Sequence, residues 1–135
     1  MLGMANFEQV NEKSRGQAIK NYALFLDRDG VINQDYGHVS SIEQFDLIPR
    51  IDKLIRAAMV NGYKIVVVTN QAGIGKGLYT ENDFQILNNY MLELLESKGC
   101  TIDAVYFCPF HPTAGKGVYL KDSFDRKPNP GMLLK

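Results

Sequence analysis

The string Asp27-Arg28-Asp29-Gly30-Val31-Ile32-Asn33 places two carboxylates one residue apart, just before a glycine that permits a sharp turn. On such a turn both can converge on a divalent cation. One carboxylate, kept ionised, can attack phosphorus while the other exchanges a proton with the leaving oxygen. An isolated string of this kind is equally an ordinary Asp- and Gly-rich turn, so its meaning depends on the element that delivers it. A second string, Thr69-Asn70-Gln71-Ala72-Gly73-Ile74-Gly75-Lys76-Gly77, combines a hydroxyl, a carboxamide and glycine amides that suit phosphate oxygens. It is not a P-loop: Asn70 stands where the first glycine belongs, and Gly77 replaces the Ser or Thr that holds magnesium. The alternative is a plain glycine-rich turn. A third string, Asp125-Arg126-Lys127-Pro128-Asn129-Pro130-Gly131, sets a planar cation beside a point charge, with Asn129 and Pro130 expected to cap and open a helix. Exposed Arg-Lys pairs are also common on solvated loops.

Two further segments are weaker. Cys108-Pro109-Phe110-His111-Pro112 offers two zinc ligands, and Asp125 a third, one short of a structural site, so zinc is not expected. Asp35-Tyr36-Gly37-His38-Val39 is polar enough for substrate contact or for an ordinary loop.

The elements around these strings give them position. Tyr22 to Leu26 is a short apolar run that ends at Asp27, the pattern of a strand buried on both faces. Lys64 to Val68 repeats the pattern and ends at Thr69, and Ile102 to Phe107 reads as a third strand ending at Cys108. Between them, Ile51, Leu54, Ile55, Ala58 and Met59 recur at helical spacing, stopped by Asn61-Gly62. Phe84, Leu87, Met91, Leu94 and Leu95 do the same after an N-cap at Thr80 with Asp83, stopped by Gly99. This alternation predicts an α/β fold with a Rossmann-like parallel sheet and helices on both faces. In such sheets ligands bind beyond the carboxyl ends of the strands, where all three strings fall. Residues 1–21 form an N-terminal extension, a short helix or a loose segment, ahead of a domain over 22–135.

Composition narrows the classes. The chain has 135 residues, 45% hydrophobic and 22% charged, the balance of one domain. A formal net charge of zero supplies no field to gather nucleic acid or an anionic membrane. Neither a membrane-spanning apolar stretch nor a signal-peptide h-region is legible, and two cysteines are too few for a disulfide scaffold. These features predict a cytoplasmic protein, expected to be a monomer without nucleic-acid or membrane partners.

Taken together and in order, FLDRDGVIN, VVVTNQAGIGKG and DRKPNPGMLL resemble the haloacid dehalogenase (HAD) superfamily of phosphotransferases. With GHVSSIEQFDLIP and CPFHP added, the match from about residue 22 onward is similar to the superfamily's heptose bisphosphate phosphatase branch. Histidinol-phosphate phosphatases share nearly all of these strings. The resemblance implies that Asp27 is the nucleophile that forms an aspartyl-phosphate and ligates magnesium, and that Asp29 is the general acid and base and contributes to the metal site through its backbone. It implies that Thr69 and Lys127 bind the transferring phosphoryl group and that Arg126 recognises substrate. Asp35, Tyr36, Gly37 and His38, with Asn70, Gln71 and Ala72, would line the sugar pocket. The implied substrate is a small phosphorylated sugar, with removal of the 7-phosphate of heptose 1,7-bisphosphate in lipopolysaccharide precursor synthesis; the alternatives are histidinol-phosphate hydrolysis and an inactive phosphate-binding fragment.

Two departures from the family pattern matter. Phe110, Ser123 and Asp125 stand where many members carry zinc ligands, so packing of Phe110, Tyr119 and Phe124 is expected to hold that loop. The acidic pair that completes the family's magnesium shell would lie beyond Lys135, which predicts a domain truncated at its C-terminal side. Without the further strand expected there, the first strand would be left as an exposed apolar edge.

Overall fold

In the computed structural model the backbone is described for residues 2–10 and 18–134, and side chains for residues 22–134. Strands β1 (Leu2–Val10), β2 (Ala18–Leu26), β3 (Tyr63–Asn70) and β4 (Ala104–Cys108) form one sheet in that order. β2, β3 and β4 are parallel, with Leu24 opposite Ile65 and Val68 opposite Tyr106. β1 runs antiparallel to β2, Leu2 opposite Leu26 and Val10 opposite Ala18.

Residues 2–10 therefore form a strand, where a short helix or loose extension was expected. β2 starts at Ala18 rather than Tyr22, so one strand runs across the boundary expected after residue 21. The physical reason is edge pairing: the free backbone groups along the outer side of β2 are satisfied by β1. The exposed edge foreseen for the first strand is occupied.

Helix α1 (Ile51–Val60) connects β2 to β3. A short helix α2 (Ala72–Gly75) and the longer α3 (Glu81–Ser97) connect β3 to β4. Each crossover returns the chain to a parallel strand, as the alternation of apolar periods requires. One core unites Leu24, Leu26, Ile65 and Val67 with Ile51 and Ile55 of α1 and with Leu87, Met91 and Leu95 of α3. Ile55, Leu87, Met91 and Leu95 are at most 1% exposed, each contributing roughly 1.5–3 kcal/mol by leaving water. Leu54, on the same predicted helical face, is exposed. On the opposite sheet face Ala23, Phe25, Val68 and Cys108 pack with Met132 of the 3-10 turn Gly131–Leu134.

α3 begins with a capping box: Asp83 N–H donates to Thr80 Oγ1 at 3.0 Å and Thr80 N–H to Asp83 Oδ2 at 2.9 Å. No described helix is long and apolar enough to cross a membrane.

Candidate functional site

The chain turns directly after β2. Ile32 and Asn33 N–H both donate to the Arg28 carbonyl, at 2.8 and 3.2 Å, and Gly30 takes φ +86°. That turn sets Asp27 and Asp29 side by side at the strand end. Arg28, only 1% exposed, folds back onto Asp29 Oδ1 through Nε (3.1 Å) and Nη2 (2.9 Å), and Asn33 Nδ2 donates to the same oxygen at 3.0 Å. Three donors converge on one carboxylate oxygen, which fixes the Asp29 rotamer. Arg28 Nη2 also donates to the Val39 carbonyl at 2.6 Å, tying this turn to the loop that carries Asp35, Gly37 and His38.

At the end of β3, Asn70 clamps the third string. Its Nδ2 donates to the Lys127 carbonyl at 3.1 Å, and Lys127 N–H donates to its Oδ1 at 2.9 Å. The Lys127 ammonium consequently reaches back to the first string, 3.0 Å from Asp27 Oδ2, while also donating to the Val68 carbonyl at 2.8 Å. Lys127 is nearly buried, so this ion pair is screened far less than a surface pair. Thr69, 1% exposed, accepts from Gln71 Nε2 at 2.9 Å.

These strand ends border an open cleft of about 370 Å³. Its walls include the expected Asp27, Asp29, Asp35, Gly37, His38, Asn70, Gln71, Ala72 and Arg126. Thr69 and Lys127 are not among the lining residues, though each bonds to one that is, Thr69 to Gln71 and Lys127 to Asp27 and Asn70. Tyr36 is elsewhere: its hydroxyl donates to Asp46 Oδ2 at 2.7 Å on an exposed surface, a contact that holds the phenol away from the cleft. Lys76 and Tyr79 also line the cleft, and neither was singled out by its spacing. Tyr79 is only 8% exposed, and a lone aromatic before a helix carries no local mark that separates cleft from core.

The second string differs from the expected flexible glycine loop. Residues 72–75 are helical, and the amides of Ile74, Lys76 and Gly77 already donate to backbone carbonyls. Gly73 and Gly75 serve close packing instead: a Cβ on Gly73 would fall 2.3 Å from the Tyr79 ring and 2.9 Å from His38 Nδ1, and one on Gly75 would fall 2.3 Å from the Pro109 carbonyl oxygen.

The third string also departs from expectation. The Asn129 carboxamide does not cap a helix; its Nδ2 donates to the Ser123 carbonyl at 3.0 Å. Near it, Phe110 and Tyr119 contact each other with centroids 6.1 Å apart, but the Phe124 ring is exposed, and Phe124 holds the loop only through its carbonyl, which accepts from Gly131 N–H at 2.9 Å. The buried Ser123 does that work through its Oγ, which accepts from Asp125 N–H at 3.1 Å. His111 Nδ1 accepts from Ala114 N–H at 2.9 Å. Its pKa lies below the usual 6.5, held down by loss of solvation and by the nearby Arg126 and Lys76 charges. Among the described residues there is no group of three or more His, Cys, Asp or Glu side chains placed to hold a metal ion.

The architecture is similar to that of HAD-like phosphatases: a solved HAD-like phosphatase from Mesorhizobium loti superposes with TM-score 0.77 at 42% identity, covering 82% of this chain and 53% of that one. No family model matches. More specifically, the chain is 54% identical over 116 residues to the D-glycero-alpha-D-manno-heptose-1,7-bisphosphate 7-phosphatase of Burkholderia mallei, covering 86% of this chain and 61% of that protein. It is 44% identical to the D-glycero-beta-D-manno-heptose-1,7-bisphosphate 7-phosphatase of Pasteurella multocida, covering 84% of this chain and 61% of the relative. The D,D-heptose 1,7-bisphosphate phosphatase of B. bronchiseptica, solved with magnesium and phosphate, gives TM-score 0.71 at 31% identity, covering 81% of this chain and 57% of that one. The chain thus spans about three fifths of the length of the curated relatives it matches.

Proposed function

We propose that this site hydrolyses a phosphoric monoester on a small sugar bisphosphate, the 7-phosphate of D-glycero-D-manno-heptose 1,7-bisphosphate, and so serves heptose and lipopolysaccharide precursor synthesis in the cytoplasm. The observation that carries the reading is the Lys127 ammonium 3.0 Å from Asp27 Oδ2, with Asp29 beside it at the mouth of one cleft. The relatives' names support the substrate.

In this reading an Asp27 carboxylate oxygen attacks phosphorus in line, and the bond from phosphorus to the sugar oxygen breaks. Asp29 gives its proton to that leaving oxygen. It then takes a proton from water, which attacks the aspartyl-phosphate and releases inorganic phosphate and free Asp27. Lys127 offsets charge on the phosphoryl oxygens, and Thr69 donates to one of them. Arg126, His38 and Asp35 face the sugar from the cleft wall.

Magnesium suits this donor set. Asp27 would supply a hard carboxylate oxygen and Asp29 its backbone carbonyl, and magnesium is commonly held by one or two carboxylates, retained waters and the substrate phosphate. Its contribution when bound is charge neutralisation at the phosphoryl oxygens.

The test is phosphate release from both anomers of heptose 1,7-bisphosphate and from histidinol phosphate, with magnesium and after its removal by EDTA. Release from the heptose substrate alone, lost with EDTA and lowered by roughly three orders of magnitude or more in Asp27→Asn, is the expected result. Undiminished turnover in Asp27→Asn refutes the mechanism, preference for histidinol phosphate reassigns the substrate, and phosphate binding without release makes the chain a binding module.

A further inference from the structure

Gln71 lies on the cleft wall, yet both ends of its carboxamide are engaged inside the protein. Tyr79 Oη donates to its Oε1, and its Nε2 donates to Thr69 Oγ1 at 2.9 Å. Thr69, Gln71 and Tyr79 are 1%, 2% and 8% exposed, so little water competes for these bonds.

The polarity of this chain has a chemical consequence. A hydroxyl carries one proton and two lone pairs. Gln71 occupies a lone pair of Thr69 and leaves the proton only weakly engaged: it is directed to the Asn70 carbonyl at 3.4 Å, too long for a good O–H···O bond. That proton is therefore available to an anionic oxygen arriving at the end of β3. With the carboxamide reversed, Oε1 would take the Thr69 proton itself, and the Tyr79 proton would lose its acceptor on Gln71. The phenol thus favours the orientation that keeps Thr69 a donor.

Local structure holds both ends of the relay. Gln71 N–H donates to the Cys108 carbonyl at 2.8 Å, and Leu78 N–H donates to the Gly73 carbonyl at 2.9 Å, which brings Tyr79 back over the site. The Tyr79 ring rests where a Gly73 side chain would be. Burial raises the phenol pKa to about 12, so Tyr79 stays a proton donor at physiological pH.

We propose that Tyr79 is a positioning residue for phosphoryl recognition: acting through Gln71, it presents the Thr69 hydroxyl as a hydrogen-bond donor to a phosphoryl oxygen. This rests on the phosphatase reading of the cleft and adds a residue that the reading does not contain.

The experiment is calorimetric titration of inorganic phosphate, with magnesium present, into the wild-type protein and its variants. Tyr79→Phe is expected to weaken phosphate binding about tenfold, the effect of losing one oriented donor to a charged acceptor. Thr69→Val should weaken it at least as much, and the double variant no more than Thr69→Val alone, because both changes remove the same donor. Thr69→Ser should retain the affinity and its sensitivity to Tyr79→Phe. If Tyr79→Phe fails to fold, Gln71→Met breaks the relay at its centre and is read in the same way. Unchanged affinity in a folded relay variant, or losses that add in the double variant, overturns the relay alone. A wild-type protein that binds no phosphate overturns the relay together with the phosphatase reading.

Discussion

Lys127 Nζ lies 3.0 Å from Asp27 Oδ2, although the two residues stand at opposite ends of the described domain. The contact exists because Asn70, at the end of a third segment, exchanges two hydrogen bonds with the Lys127 backbone and so holds the lysine over the end of β2. An acid and a base brought together this way, with little solvent around the ammonium, make a strong local field where phosphoryl charge would develop.

Replacing Lys127 with Met should lower turnover roughly 10²–10³-fold and weaken phosphate binding, as expected when a preorganised cation is removed from a phosphoryl site. Lys127→Arg should restore little, because a planar guanidinium does not reproduce the point charge held between Asp27 and the Val68 carbonyl. Steady-state kinetics on the two variants checks this, and full activity in either refutes the role given to the ammonium.

Gly73→Ala should damage both stability and the cleft. Its methyl group would overlap the Tyr79 ring and press on His38 Nδ1, so we expect a loss of about 1–3 kcal/mol, as for overpacking of a tight site. Denaturant unfolding measures the stability change, and phosphate titration measures the damage to the cleft.

Thr80→Ala removes one half of the capping box of α3. A cost of about 1 kcal/mol and a drop of a few degrees in Tm are expected. The test is thermal unfolding followed by circular dichroism; an unchanged Tm would mean that α3 is held by its packing alone.

His111 should titrate below 6.5, the direction set by desolvation and then by the Arg126 and Lys76 charges. Between its folded midpoint and 6.5 the unfolded chain binds more protons than the folded one, so stability rises with pH across that window and is lost as pH falls. NMR titration of the two histidine ring signals locates the midpoint. The His111→Asn variant should show a flatter pH dependence of stability over the same range.

Much of the site was legible because it sits at strand ends. A short apolar run buried on both faces must hand its backbone to a polar loop at its carboxyl end, so YALFL and KIVVV pointed to Asp27, Asp29, Thr69 and Asn70 without any knowledge of distant contacts. Helix boundaries were legible for a similar reason: the Thr80 cap and the glycine stops at Gly62 and Gly99, both at positive φ, act within one turn of chain.

What the sequence determined by itself is thus the local part: the apolar periods, the turns, and the chemical types delivered at three strand ends. Only the tertiary structure decided that β1 pairs with β2, that Tyr36 turns to Asp46 while Tyr79 joins Gln71, and that Phe124 stays in solvent while Ser123 is buried. The physical reason is range. Periodicity and capping act between residues a few positions apart, whereas edge pairing, a carboxamide bridging two hydroxyls and an ion pair between distant strings depend on how whole elements pack, and no window of sequence records that.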